Sequence, residues 1–381
     1  MKKVLFVNDE RQMGGVSIVL EDILNNIDYK DKKIDLLILH NNGDRLKNIP
    51  KNINVIYGTK FFNTIDIPLT NLINEKKYKL IIKKIITSFL MKTNLIKYKI
   101  KQERKKILND NYDIEIAFKH GFTTLFTYYG NSKKKINWVH CDCNLNDPAQ
   151  KYQTTFKKII NKFDYNILLT NSLKKDFEKK YNCSNCKVIK NIIDDKKILE
   201  LSKNTKTNTN GLLFVSVGRL SREKGFENLI EAFYLLKKDD LLHDIKLEIY
   251  GDGDLKYILQ DLIDKYDLNN YIMLKGRTDN PYIPIKNANM YILSSLNEGY
   301  GLVLIESFIC KTPVISTDVI SARELIDKKH GIITENSING LYKAIKKVIT
   351  NKNIIKELTE NLKDYKYDNP KIIEEIEELL K

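Results

Sequence analysis

The chain has 381 residues, 42% of them hydrophobic and 30% charged, and a net charge of +15. That length predicts two domains at ~150 residues each, and the balance of apolar and charged residues excludes a disordered or membrane-embedded chain. Five cysteines, an odd count, argue against a disulfide scaffold, and the positive charge reads either as an anionic partner such as nucleic acid or a lipid surface or as compositional drift in a chain rich in Lys, Asn and Ile.

The first predicted strand is Val4–Val7. Its apolar run stops at Asn8-Asp9-Glu10, too short for the hydrophobic region of a signal peptide, so a cytoplasmic location is expected. The following loop, Asn8–Gly15, ends in Gly14-Gly15 before a helix starting near Val16. Paired glycines let a ligand approach the backbone, and the helix start offers free N–H groups to an anion. A tight strand-to-helix turn explains the same residues without a ligand.

Ile34–Leu39, Asn54–Tyr57, Ile114–Phe118, Ile136–Val139 and Asn166–Thr170 continue the strand series, with helical periodicity between them. This alternation predicts a parallel sheet with crossover helices. Lys76 to Lys106 contains twelve Lys or Arg against one acid, Glu103. Ile81, Ile82, Ile85, Ile86, Phe89 and Leu90 recur there at helical spacing, which predicts a basic amphipathic helix. Such a helix suits an anionic lipid surface, or equally a surface position with its stripe on the core. Leu80–Ile96 is broken by Lys83, Lys84 and Lys92, so it cannot span a bilayer.

His120 and His140 each end a strand on the side of the sheet where ligands bind. Cys183-x-x-Cys186 has half a zinc-site spacing; Cys141-x-Cys143 is poorly spaced to complete it. Leu201–Gly211 is polar and aperiodic and reads as a linker. Strands resume at Leu212–Val217, Lys246–Tyr250, Ile272–Leu274, Met290–Leu293, Pro313–Ser316 and Gly331–Thr334, with helices such as Phe226–Lys237, Leu255–Tyr266 and Leu302–Ile309. The domain boundaries expected are 1–200, a linker at 201–211, 212–350, and C-terminal helices at 351–381 packing back on the first domain.

Two strand-to-helix loops of the second domain carry chemistry. Gly218-Arg219-Leu220-Ser221-Arg222-Glu223-Lys224-Gly225 sets Arg219 and Lys224 beside a helix start, where two cations can neutralise a diphosphate without a metal. A solvated charged loop is the plainer reading. Glu298-Gly299-Tyr300-Gly301 leads into the apolar helix that begins at Leu302 and Val303 and carries Glu306 one turn in. A carboxylate on so apolar a helix is costly unless it is paired or meets a ligand. Asp252-Gly253-Asp254 is similar to a metal-binding Asp-x-Asp but reads here as a turn.

Taken together, the Gly-Arg-Leu to Glu-Lys-Gly stretch at 218–225, the two glutamates at 298 and 306, Ile249–Asp254, Gly276 and Pro313–Asp318 resemble the retaining family-4 glycosyltransferases. The resemblance is closest over 211–335 and looser over 1–200. It implies an α/β fold of two Rossmann-like doubly wound domains facing across a cleft (GT-B). It also implies roles. Arg219 and Lys224 would bind the donor diphosphate, Glu306 the ribose hydroxyls and Glu298 the transferred sugar. Gly14 and Gly15 would approach the sugar or phosphate, and the amides of Leu302 and Val303 would cap the phosphates. Gly276-Arg277 would border the base, His140 would stand at the transfer centre, and His120 would help place the acceptor.

The expected reaction is front-face transfer with retention from a nucleotide-diphosphate sugar, a UDP-sugar on family frequency, with no metal or other cofactor. The expected acceptor is a glycan or lipid-linked precursor, as in bacterial capsule or envelope polysaccharide synthesis, with an anionic membrane touched through 76–106 and no nucleic acid partner. Two alternatives stay open: a non-catalytic polyanion- or membrane-binding protein on the same fold, and a nucleotide-sugar epimerase.

Overall fold

A computed structural model describes residues 1–9, 15–40, 48–65, 73, 77–93, 95–109, 111–143, 153–203 and 211–381. The chain divides into two compact units, Met1–Ile192 with Asn369–Lys381, and Ile193–Asp368. The first unit thus ends earlier than residue 200, and the helix Asp195–Leu201 belongs to the second. The two terminal helices also part company. Asn353–Leu362 stays with the second unit, and Asn369–Leu379 joins the first. There Glu377 binds the buried Lys32 amine at 2.8 Å and accepts from the Asp28 amide at 2.6 Å.

The first unit has seven strands: β1 (Lys2–Asn8), β2 (Lys32–Ile38), β3 (Asn54–Tyr57), β4 (Ile114–Ala117), β5 (Lys134–Trp138), β6 (Tyr165–Leu168) and β7 (Cys186–Val188). They pair in parallel in the order β3-β2-β1-β4-β5-β6-β7. β7 escapes the sequence pattern, being three half-buried residues at a sheet edge. The strands read as continuous apolar runs because helices cover both faces of a parallel sheet. Phe6, Phe118, Trp138 and Phe126 fill the interior.

The second unit has β8 (Leu212–Val217), β9 (Ile245–Tyr250), β10 (Ile272–Gly276), β11 (Met290–Leu293), β12 (Val314–Thr317) and β13 (Gly331–Thr334). They form a parallel sheet in the order β10-β9-β8-β11-β12-β13. Its core joins Phe214 and Ile292 of the sheet to Leu229 and Phe233 of the helix Phe226–Lys238 and Leu341 of the helix Ile338–Thr350. In each sheet the order reverses once, between β1 and β4 and between β8 and β11, and ligands of such sheets bind beyond the strand ends at that point.

The basic stretch differs from the single helix expected: it forms two, Tyr78–Lys92 and Ile96–Ile107. The first ends at Thr93, whose hydroxyl donates to the Phe89 carbonyl at 2.8 Å and so competes with continuation of the helix. No helix among the described residues is long and apolar enough to cross a membrane.

Candidate functional site

In the second unit the reversal point is built from two loops. β8 runs into Gly218–Gly225, and β11 runs into Ser294–Gly301. Lys224 and Glu298, from these two loops, form an ion pair at 2.6 Å, and Ser295 Oγ donates to the same carboxylate oxygen at 3.2 Å. The loops are sewn together along their backbones. Leu296 N donates to the Glu223 carbonyl and Ser294 Oγ to the Lys224 carbonyl, both at 2.8 Å. Gly225 allows this approach. It lies at φ 62°, and a Cβ there would sit 2.2 Å from the Ser294 carbonyl oxygen.

The Gly218 loop is gripped from its other side by the Asp252-Gly253-Asp254 turn. Leu220 N donates to the Asp252 carbonyl and Leu255 N to the Leu220 carbonyl, each at 3.0 Å. The turn therefore serves as a backbone clasp on the loop that carries Arg219 and Lys224. Arg219 itself is exposed.

On the other loop, Gly301 at φ 70° turns the chain into the helix Leu302–Ile309. Leu302 and Val303, its first two residues, are half-buried, and so is Glu306. Gly276 ends β10 at φ 74° with no atom within 4 Å of a Cβ position, and Arg277 beyond it is exposed.

Sequence reasoning missed the supports. Tyr291 is fully buried and ties the end of β8, donating to the Val217 carbonyl at 3.0 Å and accepting from its amide at 3.2 Å. Thr317 Oγ1 donates to the Ser295 carbonyl at 2.6 Å, and Asn336 Nδ2 to that of Leu296 at 3.0 Å. Tyr300 binds Tyr367 through their hydroxyls at 2.7 Å. The available signal was a hydroxyl or amide at the end of an apolar strand, as in Ser294-Ser295 and Thr317.

The first unit holds the other predicted residues. Gly14 lies outside the described residues, and Gly15 opens the helix Gly15–Asn26, exposed. Lys119, beyond β4, pairs with Asp9, beyond β1, at 3.0 Å. His120 is buried at 1% exposure. Its Nδ1 lies 3.3 Å from Asn137 Nδ2 and its Nε2 3.3 Å from Tyr181 Oη, with Phe156 and Phe177 at its edges. An amide N–H can only donate, so Nδ1 accepts from Asn137. His120 thus stands in a buried polar setting, and its part in placing an acceptor stays an expectation.

His120 belongs to a buried polar ladder. Thr124 Oγ1 donates to Asn137 Oδ1 at 2.8 Å, Asn137 to Asn166 Oδ1 at 2.9 Å, and Asn166 to Asn185 Oδ1 at 3.0 Å. His140 stands differently. Its ring lies against Phe118 at 4.7 Å between centroids, and its buried Nε2 has no hydrogen-bond partner among the described residues. Burial, aided by the positive charge of Lys119, pushes its pKa down to about 3, so the imidazole is neutral at pH 7.

The cysteines remain two separate pairs, Cys141 with Cys143 at 3.8 Å and Cys183 with Cys186 at 3.6 Å between sulfurs. Among the described residues no three His, Cys, Asp or Glu side chains gather as metal ligands would.

Residues 197–368 match the family model of glycosyl transferases group 1. An N-acetylgalactosaminyltransferase of Campylobacter jejuni that acts on an N-acetylgalactosamine-N,N'-diacetylbacillosaminyl-diphospho-undecaprenol is 31% identical over 222 residues, 53% of this chain and 58% of that protein. The poly(ribitol-phosphate) alpha-N-acetylglucosaminyltransferase of Staphylococcus aureus is 28% identical over 65% of this chain and 50% of its own length. The chain thus spans about half the length of such curated relatives. Among solved structures, HepE of Anabaena with UDP and glucose superposes with a TM-score of 0.73 at 18% identity, covering 100% of this chain and 99% of that one. The motif-bearing unit, the two parallel sheets and these likenesses agree: residues 197–368 match the glycosyl transferases group 1 model, and the chain has the GT-B fold.

Proposed function

We propose that the chain is a retaining glycosyltransferase that takes a sugar from a UDP-sugar, without a metal, and passes it to a glycan or lipid-linked acceptor of a bacterial surface polysaccharide such as capsule. The observation that carries this reading is the Lys224–Glu298 pair at the reversal point of the second sheet, with Arg219 exposed on the same loop. In this reading the donor diphosphate draws the Lys224 ammonium from Glu298, and Arg219 and the amides of Leu302 and Val303 complete its cradle. Glu298, released, accepts hydrogen bonds from the sugar hydroxyls, and Glu306 takes those of the ribose. Gly14 and Gly15 let the backbone approach the sugar or phosphate, and Gly276-Arg277 borders the base.

The bond from the anomeric carbon to the phosphate oxygen breaks as the acceptor hydroxyl oxygen bonds that carbon from the same face. The acceptor proton passes to the departing phosphate, whose charge Lys224 and Arg219 stabilise where it develops. His140, neutral at pH 7, hydrogen-bonds the sugar and contributes no charge. Two relatives bear on the acceptor: the Campylobacter and Staphylococcus proteins are named for a diphospho-undecaprenol glycan and a poly(ribitol-phosphate). A cytoplasmic enzyme peripheral to the membrane fits a lipid-linked acceptor.

The test is product analysis with UDP-sugars. We expect an α-linked product from an α-linked donor by NMR, undiminished by a chelator. Isomerised UDP-sugar formed without an acceptor would instead establish the epimerase, and inverted configuration would overturn retention.

A further inference from the structure

The helix Tyr78–Lys92 is mounted inside out. Ile82, Ile85, Ile86 and Phe89 recur at i, i+3, i+4 and i+7 and form one stripe, the pattern that a surface helix ordinarily turns to the core. Here these four side chains are 58%, 58%, 52% and 60% exposed, and Tyr78 extends the stripe. The buried residue of this helix is Thr87, which lies about half a turn from the middle of the stripe. From the same inner side Lys84 donates to the Ile65 carbonyl. Thr87 and Lys84 pack on the protein beside half-buried Leu80 and Met91, while the stripe itself stays exposed.

The charge around the stripe is of one sign. Lys79, Lys83 and Lys92 are exposed on this helix, which carries no carboxylate, and Lys101 and Lys105 are exposed on the next. Glu103, the one acid between residues 76 and 106, is held by Lys99 at 2.7 Å and Lys106 at 2.8 Å. A partner for this face must accept apolar side chains in its middle and present anions at its margins. A second copy of a +15 chain would bring the same lysines to the same margin. An anionic bilayer offers acyl chains beneath a layer of phosphates, which is the complement required.

We propose that this face docks on an anionic lipid bilayer. The helix lies in the plane of the interface, with Ile82, Ile85, Ile86 and Phe89 among the acyl chains and the lysines at the headgroup phosphates. The inference concerns adsorption and not sugar transfer, so it stands or falls separately from the proposed reaction.

The full chain is sedimented with vesicles of phosphatidylcholine alone and of phosphatidylcholine mixed equally with phosphatidylglycerol. Binding to the anionic vesicles, weakened by salt, is expected, with little to the neutral ones. The double variant Ile85→Asn, Phe89→Asn should bind at least about tenfold less, with its thermal midpoint and its turnover of a water-soluble acceptor unchanged. Phe89→Trp supplies a second readout, since the chain's one tryptophan, Trp138, is buried. Its emission should move to the blue on anionic vesicles. Undiminished binding of the double variant, equal binding to neutral vesicles, or unshifted Trp emission would overturn the proposal. So would stripe-dependent self-association without vesicle binding, which would assign the face to a second copy.

Discussion

Both units place a lysine and a carboxylate opposite one another where the strand order reverses, with the polarity exchanged. In the first, the acid Asp9 follows β1 and the base Lys119 follows β4. In the second, the base Lys224 follows β8 and the acid Glu298 follows β11. The surroundings differ more than the pairs do. Asp9 is buried, and the flanking chemistry of its unit is a closed ladder of amides and a histidine. Lys224 sits on a loop closed by Gly225 and held through its backbone carbonyl by Ser294 Oγ, while its ammonium pairs with Glu298. The same topology thus carries a pair beside a buried amide ladder in one sheet and, in the proposed reading, a charge exchangeable for the donor in the other. The predictions below attack that contrast, in order of expected effect.

The first unit also holds a fully buried ion pair. Arg104 binds Glu115 at 2.7 Å and the Phe126 carbonyl at 3.1 Å. Burial pushes the Glu115 carboxyl up, and Arg104 opposes that shift. Arg104→Met would leave the carboxylate buried without its cation, a loss of about 3–5 kcal/mol of stability. Denaturant melts should show this loss. If the second unit keeps donor binding at temperatures where the first has melted, the two units are energetically separate. A single transition with both functions lost together would break the comparison.

Lys224→Ala should lower kcat/KM about 10²–10³-fold, the equivalent of about 2.7–4 kcal/mol of transition-state stabilisation, with the thermal midpoint nearly unchanged. Lys119→Ala should cost less activity than that. Equal losses from both would mean that the first pair is also an exchangeable site.

The contrast explains what was legible in the sequence. Glycines and opposite charges at the ends of apolar strands mark the second unit's loops, because they lie close together in sequence in Gly218–Gly225 and Glu298–Gly301. The first unit's network is spread over Asn137, Asn166 and Asn185, single polar residues inside or beside strands, whose partners lie in other strands and leave no local pattern. The Tyr181 contact of His120 was hidden for the same reason: a strand-end histidine reads alike whatever partner its ring meets. The split of 76–106 into two helices was hidden because Thr93 acts through one hydroxyl, not through a breaker such as proline. The inverted mounting of Tyr78–Lys92 was likewise invisible, since periodicity gives a stripe but not the direction it faces.

His140 offers a pH test. Its folded pKa of about 3 lies below the unfolded value of about 6.5. Below pH 6.5 the unfolded chain therefore binds a proton that the folded chain refuses, and stability falls as the pH falls, by at most about 1.4 kcal/mol per pH unit down to the folded pKa. Melts at pH 7 and pH 5 should show a slope that His140→Asn reduces. The activity profile between pH 5 and 8 should carry no inflection from this ring. An inflection near pH 6.5 removed by the substitution would show a solvated, titrating imidazole and undo its assignment as neutral.

The smallest effect concerns the hydroxyl pair of Tyr300 and Tyr367. Tyr300 lies between Glu298 and the turn at Gly301, so its anchoring fixes where the Glu298 carboxylate points. Burial pushes the Tyr367 hydroxyl well above its ordinary value, so it stays protonated and can donate throughout the working range. Tyr367→Phe leaves the buried Tyr300 hydroxyl without this partner, at a cost of about 1 kcal/mol. If the anchor matters only to the fold, the midpoint drops and kcat holds. If it holds Glu298 in register with Lys224, kcat should also fall, by no more than about fivefold if the full 1 kcal/mol reaches the transition state. A fall in kcat with a nearly unchanged UDP dissociation constant is the expected result, because Lys224 and Arg219, the charged part of the proposed cradle, lie on the opposite loop.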